Sequence, residues 1–116
     1  MQMLVREIMT PSTVTLQPGQ LALQGWQALR ETGLAGIPVV DSDGSIVGIL
    51  TREEIVRAGP DMLTGNSTVR SIMQDEVYVL REDAPAVDAW TMPADVFPVT
   101  DDDGRVVGVL DRSEVG

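Results

Sequence analysis

The sequence predicts a mixed α/β (α+β) protein built from two pseudo-symmetric β-α-β-β-α repeats packed sheet to sheet. Three observations predict it. The stretch Ile37-Pro-Val-Val-Asp-Ser-Asp-Gly-Ser-Ile-Val-Gly-Ile-Leu-Thr-Arg-Glu-Glu54 returns as Phe97-Pro-Val-Thr-Asp-Asp-Asp-Gly-Arg-Val-Val-Gly-Val-Leu-Asp-Arg-Ser-Glu114, at an offset of 60 residues and without a gap. Within each copy, short β-prone runs alternate with runs of helical period, the pattern of strands covered by helices. Finally, a lone half of this size would bury only roughly 60% of its unfolded surface. Two halves that bury their apolar sheet faces against each other around a pseudo-two-fold axis form the more stable unit. The boundaries read as 1–60 for the first repeat and 61–116 for the second.

Val5-Arg-Glu-Ile-Met9 reads as one helical turn that ends near Thr10, because Pro11 pushes its predecessor out of the α region. Val69-Arg-Ser-Ile-Met73 repeats it at offset 64, with Ser67 or Thr68 as its cap. Thr13 to Leu16 and Val77 to Leu80 are the β-prone runs that follow. From Gln20 to Thr32 the apolar positions fall near helical spacing, and Gly33 suits the residue just past a helix. Pro85 to Met92 plays the same part in the second copy. Trp26 and Trp90 match at offset 64 but Pro38 and Pro98 at 60, so about one helical turn is missing there, and Pro93 marks where this helix stops. Ile37–Asp41 and Ser45–Leu50 are strands around an Asp-Gly turn, repeated by Phe97–Thr100 and Arg105–Leu110. Thr51-Arg-Glu-Glu54 opens a helix to about Arg57, Gly59-Pro60 closes it, and 61–66 link the halves. The second copy ends one turn into the corresponding helix. That leaves open whether the helix is dispensable or the chain is part of something longer.

Composition removes whole classes of function. There is no Cys and no His, hence no zinc-type site, thiol nucleophile, imidazole acid–base chemistry or disulfide. Absence of disulfides fits a reducing, cytoplasmic compartment. No apolar run approaches the roughly 20 residues of a membrane span, and no secretory signal opens the chain. The net charge is −10 and every base is Arg, which argues against nucleic acid and anionic membrane partners. Four aromatic residues are too few for a carbohydrate cleft, so paired-carboxylate glycosidase chemistry is rejected and the chain is read as no enzyme.

The opening Val-x-x-Ile-Met of each half, the segments Gly36-Ile-Pro-Val-Val40 and Val96-Phe-Pro-Val99, the Asp-x-Asp-Gly turns and Gly48-Ile-Leu-Thr-Arg-Glu-Glu54 occur in the same order twice. In this the chain resembles the tandem cystathionine-β-synthase-type (CBS) domain pair, the Bateman module, over essentially its full length. The resemblance implies a non-catalytic regulatory module that senses an adenosine-containing ligand (AMP, ADP, ATP or S-adenosylmethionine), with no required cofactor. It also implies a homodimer of CBS pairs acting on an effector domain or partner protein. It further implies a first cleft formed by Thr13, Val14, Gly36, Ile37, Pro38, Thr51, Arg52 and Glu54, with adenine against the first five, phosphate at Thr51 and Arg52, and ribose at Glu54. A second, weaker cleft would use Val77, Tyr78, Val96, Phe97, Pro98, Asp111, Arg112 and Glu114.

Several of these residues have a structural reading too. Thr51-x-x-Glu54 is a capping box, and Asp111-x-x-Glu114 is an Asp-started version of it. Both depart from the family pattern, with Glu for the ribose-binding Asp and Asp111 where the first half has Thr51. A carboxylate at that position disfavours phosphate, since like charges about 4 Å apart repel by roughly 4 kcal/mol at an effective dielectric of 20. The second cleft should therefore prefer a neutral or cationic adenosyl ligand. Trp26 and Trp90 read as core or interface packing residues, and Tyr78 is the better stacking candidate. The Asp41/Asp43 and Asp101–Asp103 groups lack the spacing of a calcium loop and read as turn residues, so no metal site is expected. Arg6 and Arg70 read either as partners of carboxylates at the junction or as surface residues. The competing function is a structural dimerisation module whose nucleotide site has degenerated.

Overall fold

A computed structural model describes residues 2–116. The first half contains α1 (Val5–Ile8), β1 (Thr10–Pro11), α2 (Ala22–Thr32), β2 (Gly36–Val40), β3 (Ile46–Thr51) and α3 (Arg52–Ala58), then a 3-10 turn at Pro60–Leu63. The second contains α4 (Val69–Ile72), β4 (Leu80–Arg81), a 3-10 helix at Ala86–Thr91, β5 (Val96–Thr100), β6 (Val106–Asp111) and a final 3-10 turn at Arg112–Glu114.

The duplicated stretches fold as antiparallel hairpins, β2 with β3 and β5 with β6. Their turns are built by aspartate. The Asp41 carboxylate accepts from the amides of Asp43 and Ser45, both at 3.1 Å. Asp101 accepts from Asp103 at 2.9 Å and Arg105 at 3.0 Å. Short acidic side chains that bond their own backbone two residues on are what such turns require. Gly44 and Gly104 then take φ of +90° and +79°, open to glycine at little cost. The Asp clusters thus serve the turns.

Helix α2 ends where expected, with Gly33 at φ +68° and its N–H donating to the Leu29 carbonyl at 3.0 Å. Its counterpart is shorter and wound as 3-10. A 3-10 helix turns every three residues instead of 3.6, so a position that faces the core in α2 rotates outward here. Trp26 is half-buried against the first core, whereas Trp90 is 55% exposed with the Arg112 guanidinium over its ring at 5.1 Å, so of the core and interface roles read for the pair Trp90 does not take the core one. The β-prone runs contribute less than expected. Only Leu16 of the first reaches the sheet, parallel to Val39, and Leu80–Arg81 pairs in parallel with Val99–Thr100. Thr68 stands at the N-cap of α4, but its side chain makes no capping bond. The side chains of Arg6 and Arg70 are exposed and make no ion pair among the described residues.

The opening turns are exchanged between the halves. Val5 of α1 is fully buried among Leu80, Ala86, Phe97, Val99 and Leu110 of the second half, and β1 pairs with β6 through Thr10–Val109 and Pro11–Gly108. Val69 of α4 is fully buried among Leu16, Leu29, Ile37, Val39 and Leu50 of the first half. Gln74, just beyond α4, exchanges two backbone bonds with Ile49 of β3, each 2.9 Å. The second sheet therefore runs β1-β6-β5-β4, and the first runs Gln74-β3-β2-Leu16 by the same symmetry. Each repeat completes the other's core, and β2 meets β5 at the seam, where a Cβ on Gly36 would lie 3.1 Å from Val96 Cγ1. Among the described residues no helix is long and apolar enough to cross a membrane.

Candidate functional site

The seam opens into a cleft of about 460 Å³. One wall is the loop Gly33–Ala35 that ends α2 and the start of α3 at Thr51, Arg52 and Glu53. The other is Val96, Val109, Asp111 and Glu114 of the second repeat, with Thr10 from the exchanged strand β1. Both β3 and β6 end here, so each hands its following helical turn to the cleft rim.

The two helix starts differ in chemistry. On the first side the capping box is closed. Thr51 N–H and Thr51 Oγ1 donate to Glu54 Oε1 at 2.7 and 2.6 Å, and Thr51 Oγ1 accepts from Glu53 N–H at 3.3 Å. Gln74 Nε2 donates to Glu54 Oε2 at 2.7 Å, so Glu54, only 3% exposed, has partners on both oxygens. Buried carboxylates are stable only when hydrogen-bonded in this way. Glu53 at the rim is bridged to Arg57 at 2.9 Å, a surface pair of the i,i+4 kind.

On the second side the box is open. Asp111 Oδ1 accepts from the Ser113 amide at 2.9 Å and the Ser113 hydroxyl at 2.8 Å. Asp111 Oδ2 and the exposed Glu114 carboxylate make no hydrogen bond among the described residues. Arg112 does not balance them, for its guanidinium reaches Asp95 at 2.6 Å and lies 5.1 Å from the Trp90 ring centre. The cleft lining therefore carries three carboxylates, of which Glu53 is paired with Arg57 and Asp111 is held on one oxygen by Ser113, and one guanidinium, that of Arg52.

The expected grouping into two clefts is redrawn by this geometry. Thr51 and Arg52 line the same cleft as Val96, Asp111 and Glu114. Gly36, Ile37, Pro38, Phe97 and Pro98 are buried in β2 and β5 and contribute no surface to it. Thr13 lines a separate cavity of about 400 Å³ between the hairpin turns, and Val14 is exposed. Val77 and Tyr78 lie away from the cleft; Tyr78 packs on the second core and donates from its hydroxyl to Glu76 at 3.2 Å, which raises its pKa. Glu54 is engaged by its cap and by Gln74, and Arg112 is turned to Asp95 and the Trp90 ring. A smaller cavity of about 180 Å³ is the pseudo-symmetric mate, lined by Thr51, Glu53, Gln74 and Pro93–Val96. Pro93, Ala94 and Asp95 stand there at the offset-60 positions of Gly33, Leu34 and Ala35. Sequence reading missed Thr10, Gly33, Leu34, Ala35, Glu53, Val109 and Gln74. The signal for them was the two-fold itself, which sets the entry to β2 of one repeat opposite the exit of β6 of the other.

Comparison with known proteins fits this geometry. The CBS domain family matches residues 5–61 and 69–115. Protein YtoI of Bacillus subtilis is 34% identical over 118 residues, covering 97% of this chain and 26% of its own length. A CBS domain-containing protein of Dictyostelium discoideum is 26% identical over 130 residues, covering 99% of this chain and 90% of its own. The solved CBS domain pair of protein MJ0100, in complex with 5′-methylthioadenosine and S-adenosyl-L-methionine, superposes with a TM-score of 0.80 at 26% identity, covering 99% of this chain and 94% of that one. The chain spans about a quarter of YtoI and 22% of the inosine-5′-monophosphate dehydrogenase of Methanocaldococcus jannaschii, so it matches only the CBS part of such longer proteins. With two matched segments that together cover most of its residues, this chain belongs to the CBS domain family and carries the domain in tandem.

Proposed function

We propose that the chain is a non-catalytic regulatory module that binds an adenosine-containing ligand in the seam cleft. The cleft carries the reading: it falls within the roughly 300–1,000 Å³ of small-molecule sites, at about 460 Å³. It is walled by both repeats of a fold whose neighbour at 26% identity is solved with two adenosyl compounds. A ligand seated there touches Gly33–Ala35 on one side and Asp111–Glu114 on the other. Its affinity then depends on how the repeats sit, and it shifts the module only in so far as it prefers one arrangement. The regulated effector is a further domain or partner protein, and the module acts as a dimer of pairs.

Calorimetry with AMP, ATP, 5′-methylthioadenosine and S-adenosylmethionine tests the reading, with Glu114→Ala as control because that residue is exposed and its loss leaves the fold intact. At least one compound should bind and lose affinity in the variant; binding that ignores the change would reject this cleft. A second reading, a structural association module with a degenerate site, is favoured by the closed Glu54 box. It predicts a dimer by light scattering and no thermal shift. A true ligand at 100 times its Kd adds about 2.7 kcal/mol.

A further inference from the structure

We infer that Asp111 makes the seam cleft a charge filter, admitting neutral and cationic adenosyl compounds and rejecting those that carry phosphate. The inference rests on the cleft being an adenosyl site and adds which class it takes. At the matching position of the first repeat Thr51 offers a hydroxyl, already engaged by Glu54 and Glu53. Asp111 instead brings a full negative charge to the cleft, with one oxygen held by Ser113 and the other without a partner among the described residues. Its neighbour Arg112 is the guanidinium best placed by sequence to cancel that charge. It is held away by Asp95 at 2.6 Å and by the face of Trp90. Glu114 adds a second carboxylate at the rim, Glu53 a third that is already paired with Arg57, and Arg52 offsets only one of the two that remain. A phosphate entering between them meets net repulsion at short range. A sulfonium or ammonium meets attraction at the same oxygens, and a neutral thioether meets neither.

The test is a charge series on one nucleoside: 5′-methylthioadenosine (neutral), S-adenosylmethionine (cationic at sulfur) and AMP (anionic), titrated by calorimetry at low and high salt. The wild type should bind the first two and bind AMP at least tenfold more weakly. Asp111→Asn, which keeps a capping oxygen for Ser113, should raise AMP affinity about tenfold, equivalent to about 1.4 kcal/mol. It should lower that of S-adenosylmethionine and leave 5′-methylthioadenosine unchanged. Added salt should narrow the gap in the wild type and not in the variant. AMP binding as tightly as 5′-methylthioadenosine in the wild type, or a ratio unmoved by Asp111→Asn, would overturn the filter and leave the adenosyl site standing. Failure of all three compounds to bind either protein would overturn both.

Discussion

Gly48→Ala should cost about 3 kcal/mol of stability. The added Cβ would lie 2.6 Å from the carbonyl oxygen of Gln74 and 2.5 Å from Met73 Sδ. The methionine can swing aside. The carbonyl cannot, since it accepts from the Ile49 amide at 2.9 Å while the Gln74 amide donates to the Ile49 carbonyl at 2.9 Å. Moving it costs two backbone bonds, each about 1 kcal/mol net. It also strains the 2.7 Å bond from Gln74 to Glu54, a charge-assisted contact of about 1.5–3 kcal/mol. Partial relaxation brings the sum within the about 1–3 kcal/mol typical of overpacking, at its upper end. For a chain of this length each kcal/mol lowers Tm by roughly 4 °C, so melting should fall by about 12 °C. Thermal unfolding followed by circular dichroism measures it, with Gly19→Ala, which meets nothing within 4 Å, as the control. A loss below about 0.5 kcal/mol, the ordinary range of surface substitutions, would refute the claim that Gln74 crosses β3 at this point. It would refute the exchange of opening turns with it.

Val69→Ala should destabilise by about 2 kcal/mol, two lost methyls and a small cavity. Hydrogen exchange should quicken in β2 and β3 before β5 and β6, because the residue sits in the first half's core. Thr51→Ala removes a cap and a 2.6 Å donor to buried Glu54, so urea unfolding should show about 2 kcal/mol of loss. The hydrogen bond with the Asp41 side chain, then those from the Ser45 hydroxyl and amide, lower the Asp43 carboxyl from 3.8 to about 2. A depressed folded-state pKa stabilises above the unfolded value and is lost as pH falls through the folded one. The Asp43 carboxyl carbon shift should therefore hold to about pH 4 and move toward pH 2, and Ser45→Ala, which removes the hydroxyl donor, should bring that movement to higher pH.

The hairpins and caps were legible because their causes are local. Asp41 and Asp101 bond amides two and four residues away, and Thr51 and Glu54 cap each other across three. The exchange was not legible. Val5 and Val69 occupy matching positions with the same residue, so either could fill either core, and periodicity reports that a position is apolar without saying which half it enters. The cleft was half legible for a related reason. Thr51, Arg52, Asp111 and Glu114 were visible as unusual helix starts, but their neighbours across the seam, Gly33–Ala35 and Thr10, have no chemistry that marks them singly. Gln74 was invisible as the partner of Glu54, because a separation of 20 residues carries no sign of the crossing. The shortening of the second helix was legible from the change of offset between Trp90 and Pro98, but its 3-10 winding, which turns Trp90 outward, was not.

The exchange also limits what a ligand in the cleft can move. Separating the repeats would expose Val5 and Val69, each worth about 1.5–3 kcal/mol on burial. It would also break the pairings of β1 with β6 and of Gln74 with Ile49. Coupling energies between a ligand and a conformational change are typically about 1–3 kcal/mol, too little to undo both exchanges together. The repeats therefore stay joined, and only motions that keep those pairings remain. The Gly33–Ala35 loop is free of them and forms one wall of the cleft. It continues into α2, whose Leu21 and Leu23 are exposed on the outer surface at 39% and 41%. The start of α2 is itself tied to the exchanged α4 segment, by the Ala22 amide to the Ser67 carbonyl at 2.7 Å and the Val69 amide to the Gln20 carbonyl at 2.8 Å, so a ligand on Gly33–Ala35 would act on the free end of a helix anchored at its other end.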